Sequence, residues 1–312
     1  MADLLDDAPD LSAASAAAGE LDPPGPPPPP ASDRDEHARA LLAAYPVVEG
    51  YADVPELPDP EDLPPPRAEG VGAQFWSLRA GPGDDAVLET LRRIDTVRTL
   101  VAACPEHLRL ARTTGEIADA ANCGRAAALL GPVSATALGG SLATLRAYHA
   151  LDVLAVTLSG PDDFDRFAHD AVREMNRLGV LVDLSGAAPD TIRAALAVTK
   201  APVLMTRGEP EALPDDVLAL LGENCGVCMV PVTGGVSATA DALDRLRALA
   251  GPGSLGLSHC PDPGAGYRGL VVELLRRGWP DQDIRALTRG NATRVLRESE
   301  FHSRATRLRR PA

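Results

Sequence analysis

The chain has few aromatic residues, a single lysine and few cysteines. Aromatic side chains make up only 3% of its 312 residues, whereas apolar residues make up 45%, so leucine, valine and alanine must fill the core. Lys200 is the only lysine, and the formal net charge is −14. Basic residues cluster only near the C-terminus, and this pattern argues against a protein that binds nucleic acid through a basic face.

The sequence also lacks long apolar runs. None approaches the roughly 18 consecutive apolar residues that a membrane-spanning helix requires. The first residues are acidic and show no basic segment followed by an apolar one, as a secretory signal would. The last residues are basic rather than hydrophobic, unlike a lipid-anchor signal. We therefore expect an intracellular, cytoplasmic protein that does not contact a membrane.

The cysteine pattern is unlike that of a disulfide-stabilised domain. The chain has five cysteines at scattered spacings, and an odd count does not suggest a disulfide framework. Cys225 and Cys228 have the C-x-x-C spacing that redox and zinc sites use. Because Cys228 lies within an apolar run and no second Cys/His pair is near, we predict that both are buried structural cysteines.

Composition divides the chain into three parts. Residues 1–36 are acidic and rich in proline, and we predict a disordered tail because they cannot bury enough apolar surface to offset the entropy of ordering. The proline run suits both a spacer and a binding segment for an unidentified partner protein. Residues 37–300 are predicted to form one folded domain, followed by a basic C-terminal tail over residues 301–312.

The folded part alternates between short apolar segments and segments with helical periodicity. Eight apolar segments, most followed by a helix, predict an α/β fold of the (β/α)8 TIM-type barrel kind, with strands buried on both faces. Chemistry in such a barrel lies at the carboxyl ends of the strands. The predicted strands are Pro46–Gly50, Val71–Leu78, Ala126–Gly131, Val153–Ser159, Gly179–Ser185, Pro202–Arg207, Gly226–Val232 and Ser254–Cys260.

Four stretches resemble the membrane (renal) dipeptidase family of zinc peptidases. They are residues 38–50, the string VGAQFWS at 71–77, the string EMNRLGVLVDL at 174–184, and the string ELLRRGW at 273–279. The resemblance extends over about residues 38–300. It implies a barrel of the metal-dependent hydrolase kind, two zinc ions, dipeptide hydrolysis and a homodimer.

The family's functional positions carry different residues in this sequence. The resemblance places Tyr51, Gly186 and Arg207 at histidine ligands and Val133 at the bridging glutamate. Only Asp53 keeps a ligand type. Leu158 corresponds to a substrate-contacting histidine, and Cys260 to the catalytic aspartate. The degenerate pocket therefore comprises Tyr51, Asp53, Val133, Leu158, Gly186, Arg207, Cys260 and Asp262.

This set of side chains predicts a pocket without catalytic residues. Zinc needs several His, Cys, Asp or Glu donors that converge on one point. Arg207 places a fixed positive charge where the cations would lie, and we expect it to pair with Asp53 or to hold a small anion. We therefore expect no metal and no cofactor, in contrast to the zinc of the family.

Two further candidates have simpler interpretations. His259 and Cys260 are adjacent, as in a base and a nucleophile, but successive strand residues point to opposite faces. A structural cysteine is therefore predicted. Asp183 ends a predicted strand and is expected to cap or brace a loop.

Three functions fit these observations. The leading hypothesis is a catalytically inactive, dipeptidase-like pseudoenzyme that acts as a scaffold or protein-binding subunit. The second is a metallo-dipeptidase or other hydrolase with residual or altered activity. The third is a sensor in which Arg207 and Asp53 hold the two termini of an amino acid or dipeptide.

Overall fold

The strands of the protein form one parallel sheet. The structure, a computed structural model, describes residues 31–54, 70–81, 83, 85–159 and 165–308. Within these residues the sheet order is β3-β4-β2-β1-β10-β9-β8-β7-β6-β5, and every recorded pairing is parallel. The strands are β1 (Val47–Asp53), β2 (Val71–Ser77), β3 (Leu108–Leu110), β4 (Ala126–Leu130), β5 (Val133–Ser134), β6 (Ala155–Thr157), β7 (Leu181–Asp183), β8 (Leu204–Met205), β9 (Val227–Val230) and β10 (Leu255–Leu257).

The sheet curls until its two ends meet. The chain passes directly from β4, which pairs with β2, to β5, which pairs with β6. Pro132 lies between them and has no N–H to donate to a ladder, so the pairing changes partner there. The backbone N–H of Leu154 donates to the carbonyl of Leu130 at 2.9 Å and joins β4 to the segment that leads into β6, which closes the ring. The eight predicted strands thus occupy eight positions around a ring, and the predicted TIM-type barrel is confirmed.

Helices alternate with the strands and cover the sheet. Helix α5 shows how the sequence sets their ends: Asp165 accepts a hydrogen bond from the N–H of Ala168 at 2.7 Å, and Gly179 ends the helix at φ +83°. The helices are α1 (Ala31–Ala44), α2 (Ala86–Ala103), α3 (Thr114–Asn122), α4 (Leu142–Ala150), α5 (Arg166–Leu178), α6 (Pro189–Val198), α7 (Asp215–Glu223), α8 (Val236–Ala250), α9 (Pro263–Arg276), α10 (Asp281–Arg285) and α11 (Asn291–Leu308).

The helices of the structure extend beyond both predicted boundaries of the folded domain, 37 and 300. Helix α1 begins at Ala31, so residues 31–36 are helical although the sequence places them in the tail. Ala38 and Leu41 are buried and α1 packs on α9, and extending an anchored helix by a turn requires little further ordering. Helix α11 likewise continues to Leu308, into the predicted basic tail. Residues 1–30 of the predicted disordered tail lie outside the described residues.

The C-x-x-C pair is divided between two environments. Cys228 is fully buried in β9, but Cys225 is exposed in the turn before that strand, at φ +57°. The prediction of two buried cysteines is therefore wrong for Cys225, because the motif extends across the start of the strand. Among the described helices, none combines the length and the apolar character needed to cross a membrane.

Candidate functional site at the barrel mouth

Asp183 is the centre of a polar network at the carboxyl ends of the strands. It ends β7, and its side chain is fully buried. One carboxylate oxygen, Oδ1, accepts hydrogen bonds from Ser185 Oγ at 2.6 Å and from the backbone N–H of Thr206 at 2.8 Å. The other, Oδ2, accepts from Thr157 Oγ1 at 2.5 Å and from Arg79 Nη2 at 3.0 Å. The hydrogen bonds of Asp183 therefore connect the ends of β2, β6, β7 and β8.

Arg79 is the cationic partner in this network. It follows β2 by two residues, and 29% of its side chain is exposed. Its Nε also donates to Thr157 Oγ1 at 3.2 Å. These contacts fix the plane of the guanidinium and use Nε and Nη2. Within the described residues Nη1 donates no hydrogen bond, so its N–H groups are available to a ligand.

Tyr51 connects Arg207 to Asp53. The guanidinium carbon of Arg207 lies 5.3 Å from the centre of the Tyr51 ring, and the Tyr51 hydroxyl donates to Asp53 Oδ1 at 2.5 Å. Burial, and then the hydrogen bond to Asp53, raise the pKa of Tyr51 above its ordinary value. The predicted ion pair between Arg207 and Asp53 is not formed in the described structure. Asp53 instead accepts the hydrogen bond of the Tyr51 hydroxyl, and the Arg207 guanidinium lies against the Tyr51 ring.

The two arginines line one cavity of about 380 Å³ at the mouth. Ser185 and Gly186 lie in the same wall, and Glu209 adds one negative charge. The remaining wall is largely apolar. The cavity thus combines two guanidinium groups, one carboxylate and apolar surface, which suits a small zwitterion with an apolar side chain. The apolar lining residues are Leu184, Ala187, Pro189, Ile192, Met205, Ala212 and Leu213.

A second buried carboxylate, Glu49, lies on β1 between the sheet and α9. Its Oε1 accepts from the Tyr267 hydroxyl at 2.7 Å and from the backbone N–H of Cys260 at 3.1 Å, and Gln74 Nε2 donates to Oε2. Burial, and then the charge of Glu49, raise the pKa of Tyr267 well above its ordinary value. Tyr267 therefore stays a neutral donor, and the cluster braces β1 against the segment that follows β10.

Cys260 and Asp262 stabilise the passage from β10 to α9. The Cys260 thiol lies 3.2 Å from the carbonyl oxygen of Asp262, and burial raises the pKa of this thiol. It therefore stays protonated near neutral pH and is a poor nucleophile. Asp262 accepts from the N–H of Ala265 at 3.1 Å and caps α9. His259 instead lies edge-on to Tyr51, with 6.4 Å between ring centres.

The structure separates the remaining predicted pocket residues. Val133 and Leu158 are buried in the apolar core, and the Leu158 N–H donates to the carbonyl of Asp183 at 2.8 Å. Gly186 has φ +70°, a left-handed conformation that glycine adopts without strain, and lines the cavity with Arg207. The cavity therefore contains two of the eight positions, and Tyr51 and Asp53 are connected to it through Arg207.

The sequence did not single out Arg79, which is a functional candidate, or Glu49, which is the centre of a buried structural cluster. Arg79 follows the second predicted strand directly, so its position at the mouth was available from the strand pattern alone. Glu49 is a carboxylate within the first predicted apolar strand, which is a signal of a buried polar cluster. The predicted bracing role of Asp183 agrees with its contacts, but its arginine partner was not foreseen.

Comparison with known proteins gives the family. The model of the family described as membrane dipeptidase (peptidase family M19) matches residues 35–310. The chain belongs to this family. Dipeptidase 3 of Mus musculus is 31% identical over 333 aligned positions, which cover 85% of this chain and 66% of that protein. The chain therefore spans about two thirds of the length of this relative.

Solved structures agree on the fold. A protein of Pseudomonas aeruginosa described as "probable dipeptidase PvdM" has a TM-score of 0.78 and 17% identity, covering 87% of this chain and 99% of that one. A metallo peptidase of Rhodobacter sphaeroides, liganded with a phosphinate mimic of the dipeptide L-Ala-D-Ala, has a TM-score of 0.71 and 18% identity, covering 81% and 99%. At these identities the likeness shows a common barrel.

The comparisons overturn the prediction that no cofactor is expected. A similar solved structure is described as a metallo peptidase of family M19, the family that this chain matches, so the prediction is wrong. The described residues nevertheless do not fit a metal by themselves: among them no group of three or more His, Cys, Asp or Glu side chains lies close enough to hold one ion.

Proposed function

We propose that the barrel mouth binds an amino acid or a dipeptide, with Arg207 and Arg79 holding its carboxylate. The observation that carries this proposal is the position of both guanidinium groups in the wall of one cavity of about 380 Å³. Guanidinium groups bind carboxylates through parallel N–H···O bonds. Small-molecule sites have volumes from roughly 300 Å³ upward, so the cavity is large enough for such a ligand.

Different contacts hold the two arginines in position. Asp183 and Thr157 hold Arg79 in a fixed orientation before any ligand arrives, so little conformational entropy is lost on binding. Arg207 is exposed and forms no salt bridge within the described residues, and the ring of Tyr51 positions it. A carboxylate therefore meets one preorganised and one adjustable donor.

The other cavity residues define the rest of the ligand. Glu209 offers a carboxylate to an ammonium group, and the apolar wall that includes Ile192, Met205 and Leu213 offers surface to an aliphatic side chain. A zwitterion with an apolar side chain combines these features. This arrangement favours the sensor alternative of the sequence analysis, with Glu209 replacing Asp53 as the group that faces the ammonium end.

A comparison of two ligands, one with and one without a carboxylate, tests the proposal. Calorimetric titration compares L-alanyl-L-leucine with its C-terminal amide, which lacks the carboxylate, with zinc supplied and again with chelator present. We expect the amide to bind at least about tenfold more weakly, because it offers the arginines no negative charge. Equal affinity for the acid and the amide contradicts the proposal.

Hydrolysis is the second candidate function, and the relatives named as dipeptidases favour it. In the same samples, NMR spectra recorded over time show whether the dipeptide stays intact. Cleavage identifies an active dipeptidase and rules out the inactive pseudoenzyme, whereas an intact bound dipeptide supports binding alone. The scaffold role, the homodimer and the partner of the proline-rich segment stay predictions.

A further inference from the structure

A second cavity, of about 370 Å³, has a wall rich in basic groups. It lies between α5, the end of α6 with the residues that follow it, and the last part of α11. Because α5 and α6 lead into the starts of β7 and β8, the cavity is at the end of the barrel opposite the mouth. It is lined by His169, Arg173, Asn176, Arg177, Ala197, Val198, Lys200, His302 and Thr306.

No aspartate or glutamate is among the described residues of this wall. The charges that are present are only partly compensated. Arg177 is tied to Glu174 by bonds of 2.6 and 2.7 Å, but Arg173 is 3.9 Å from Asp170 in a pair that is largely exposed. Such exposed ion pairs contribute little free energy. Lys200, the only lysine, forms no salt bridge in the part of the chain that the structure describes.

A neighbouring cavity of about 340 Å³ also has arginines in its wall and serves as a comparison. Its wall contains Arg112 and Arg304, together with Asp152 and Glu300. Arg112 pairs with Asp152 at 3.3 Å, and Arg304 pairs with Glu300 at 3.7 Å. Each arginine there has a carboxylate in the same wall. The uncompensated charge of the basic cavity therefore differs from its surroundings, and it occurs in a chain with net charge −14.

The walls of the basic cavity are held in place. Asn176 Oδ1 accepts from the backbone N–H of Lys200 at 2.6 Å, and its Nδ2 donates to Thr199 Oγ1 at 3.2 Å, which fixes the end of α6 against α5. Ser303 Oγ donates to the carbonyl of Arg177 at 3.1 Å and fixes α11 against α5. A cation near a helix C-terminus stabilises that helix, which accounts for single basic residues. It does not account for basic groups from α5, from the segment after α6 and from α11 around one cavity.

We infer that this cavity binds a small, soluble phosphate compound with more than one negative charge. Lysine and arginine are the usual phosphate ligands in proteins. Basic groups that approach from three elements suit the several acceptor oxygens of a phosphate better than the planar pair of a carboxylate. The volume lies within the range of small-ligand sites, which begins at roughly 300 Å³.

Titration of the full chain with inorganic tripolyphosphate tests this inference. The wild type is expected to bind it, and the double variant Lys200→Gln/Arg173→Gln is expected to bind at least about tenfold more weakly, because two cations are lost. The matched control is Arg304→Gln, since Arg304 is 72% exposed and Arg173 is 71% exposed. This control is expected to bind within about twofold of the wild type. Lys200→Arg, which keeps the charge, is expected to bind like the wild type.

Two results overturn the inference. One is the absence of any binding of tripolyphosphate by the wild type. The other is an equal loss in Arg304→Gln and in the double variant, which shows diffuse attraction to surface charge. Circular dichroism of each variant checks the fold, so that a loss of binding is not confused with unfolding. Because the cavity lies opposite the mouth, the outcome is independent of the dipeptide titration.

Discussion

Arg79 Nη2 lies 3.0 Å from Asp183 Oδ2, joining the segment after β2 to the end of β7. Replacement of Asp183 by alanine leaves the Arg79 cation half-buried without its partner and deprives Thr157, Ser185 and Thr206 of an acceptor. We expect the free energy of unfolding to fall by about 3–5 kcal/mol. Urea denaturation monitored by circular dichroism measures this change.

Asp262→Asn is the control for this substitution. Asn caps a helix about as well as Asp, so the free energy of unfolding of this variant is expected to differ from that of the wild type by less than about 0.5 kcal/mol. A similarly small change in Asp183→Ala contradicts the assignment of Asp183 as the central brace.

Tyr51 provides a test of how Arg207 is positioned. Tyr51→Phe keeps the ring that faces the guanidinium and removes only the hydrogen bond to Asp53, so dipeptide binding is expected to stay within about twofold of the wild type. Tyr51→Ala removes the ring and is expected to weaken binding by about three- to fivefold, equivalent to about 0.6–1 kcal/mol, which is within the range of an exposed cation–π contact. Calorimetric titration separates the two. Equal affinities for the phenylalanine and alanine variants contradict the ring's role.

The fold was largely predictable from the sequence, but side-chain partners were not. The eight predicted strands are apolar on both faces, which is a local signal. Strands β3 and β5 have only three and two residues, too few to show a pattern. The partnership of Arg79 with Asp183 joins residues 104 positions apart, and it follows only once the barrel brings their strand ends together. Likewise, the sequence placed Arg207 near Asp53 but could not show that Tyr51 connects them.

The cysteines are expected to differ in reactivity. Cys123 and Cys225 are exposed, whereas Cys104, Cys228 and Cys260 are buried. Burial raises the pKa of all three buried thiols, that of Cys228 to about 12. Because the thiolate is the reactive form, iodoacetamide at pH 8 is expected to modify the two exposed residues first.

Peptide mass spectrometry of the alkylated chain identifies the modified positions. The denatured chain is the control and is expected to react at all five cysteines. Fast modification of Cys260 in the folded protein contradicts its assignment as a buried structural thiol.

Glu174 gives a pH-dependent prediction. Hydrogen bonds from Arg177 lower the pKa of its carboxyl from 4.5 to about 2, against the opposing effect of burial, and Arg146 adds to the lowering. A lowered folded-state pKa means that the carboxylate stabilises the fold above about pH 4.5 and that this contribution is lost as the pH falls towards 2. Glu174→Gln is therefore expected to lower the free energy of unfolding at pH 7 by about 1–3 kcal/mol.

The difference between Glu174→Gln and the wild type is expected to shrink as the pH falls from 4.5 to about 2, as measured by urea denaturation across that range. Asp190→Asn is the control, because Asp190 is 96% exposed and its pair with Arg193 contributes little. A difference for Glu174→Gln that does not depend on pH contradicts the ionic origin of the effect.

Arg207→Gln, measured by calorimetric titration with L-alanyl-L-leucine, is the most direct test of ligand binding at the barrel mouth. The control is Arg92→Gln, since Arg92 is 66% exposed and lies on α2, 4.0 Å from Glu89. The account predicts that Arg207→Gln loses about 1.5–3 kcal/mol of binding free energy, as expected for a hydrogen bond to a charged group, while Arg92→Gln binds like the wild type. An unchanged affinity in Arg207→Gln, in a chain that is folded, would contradict it.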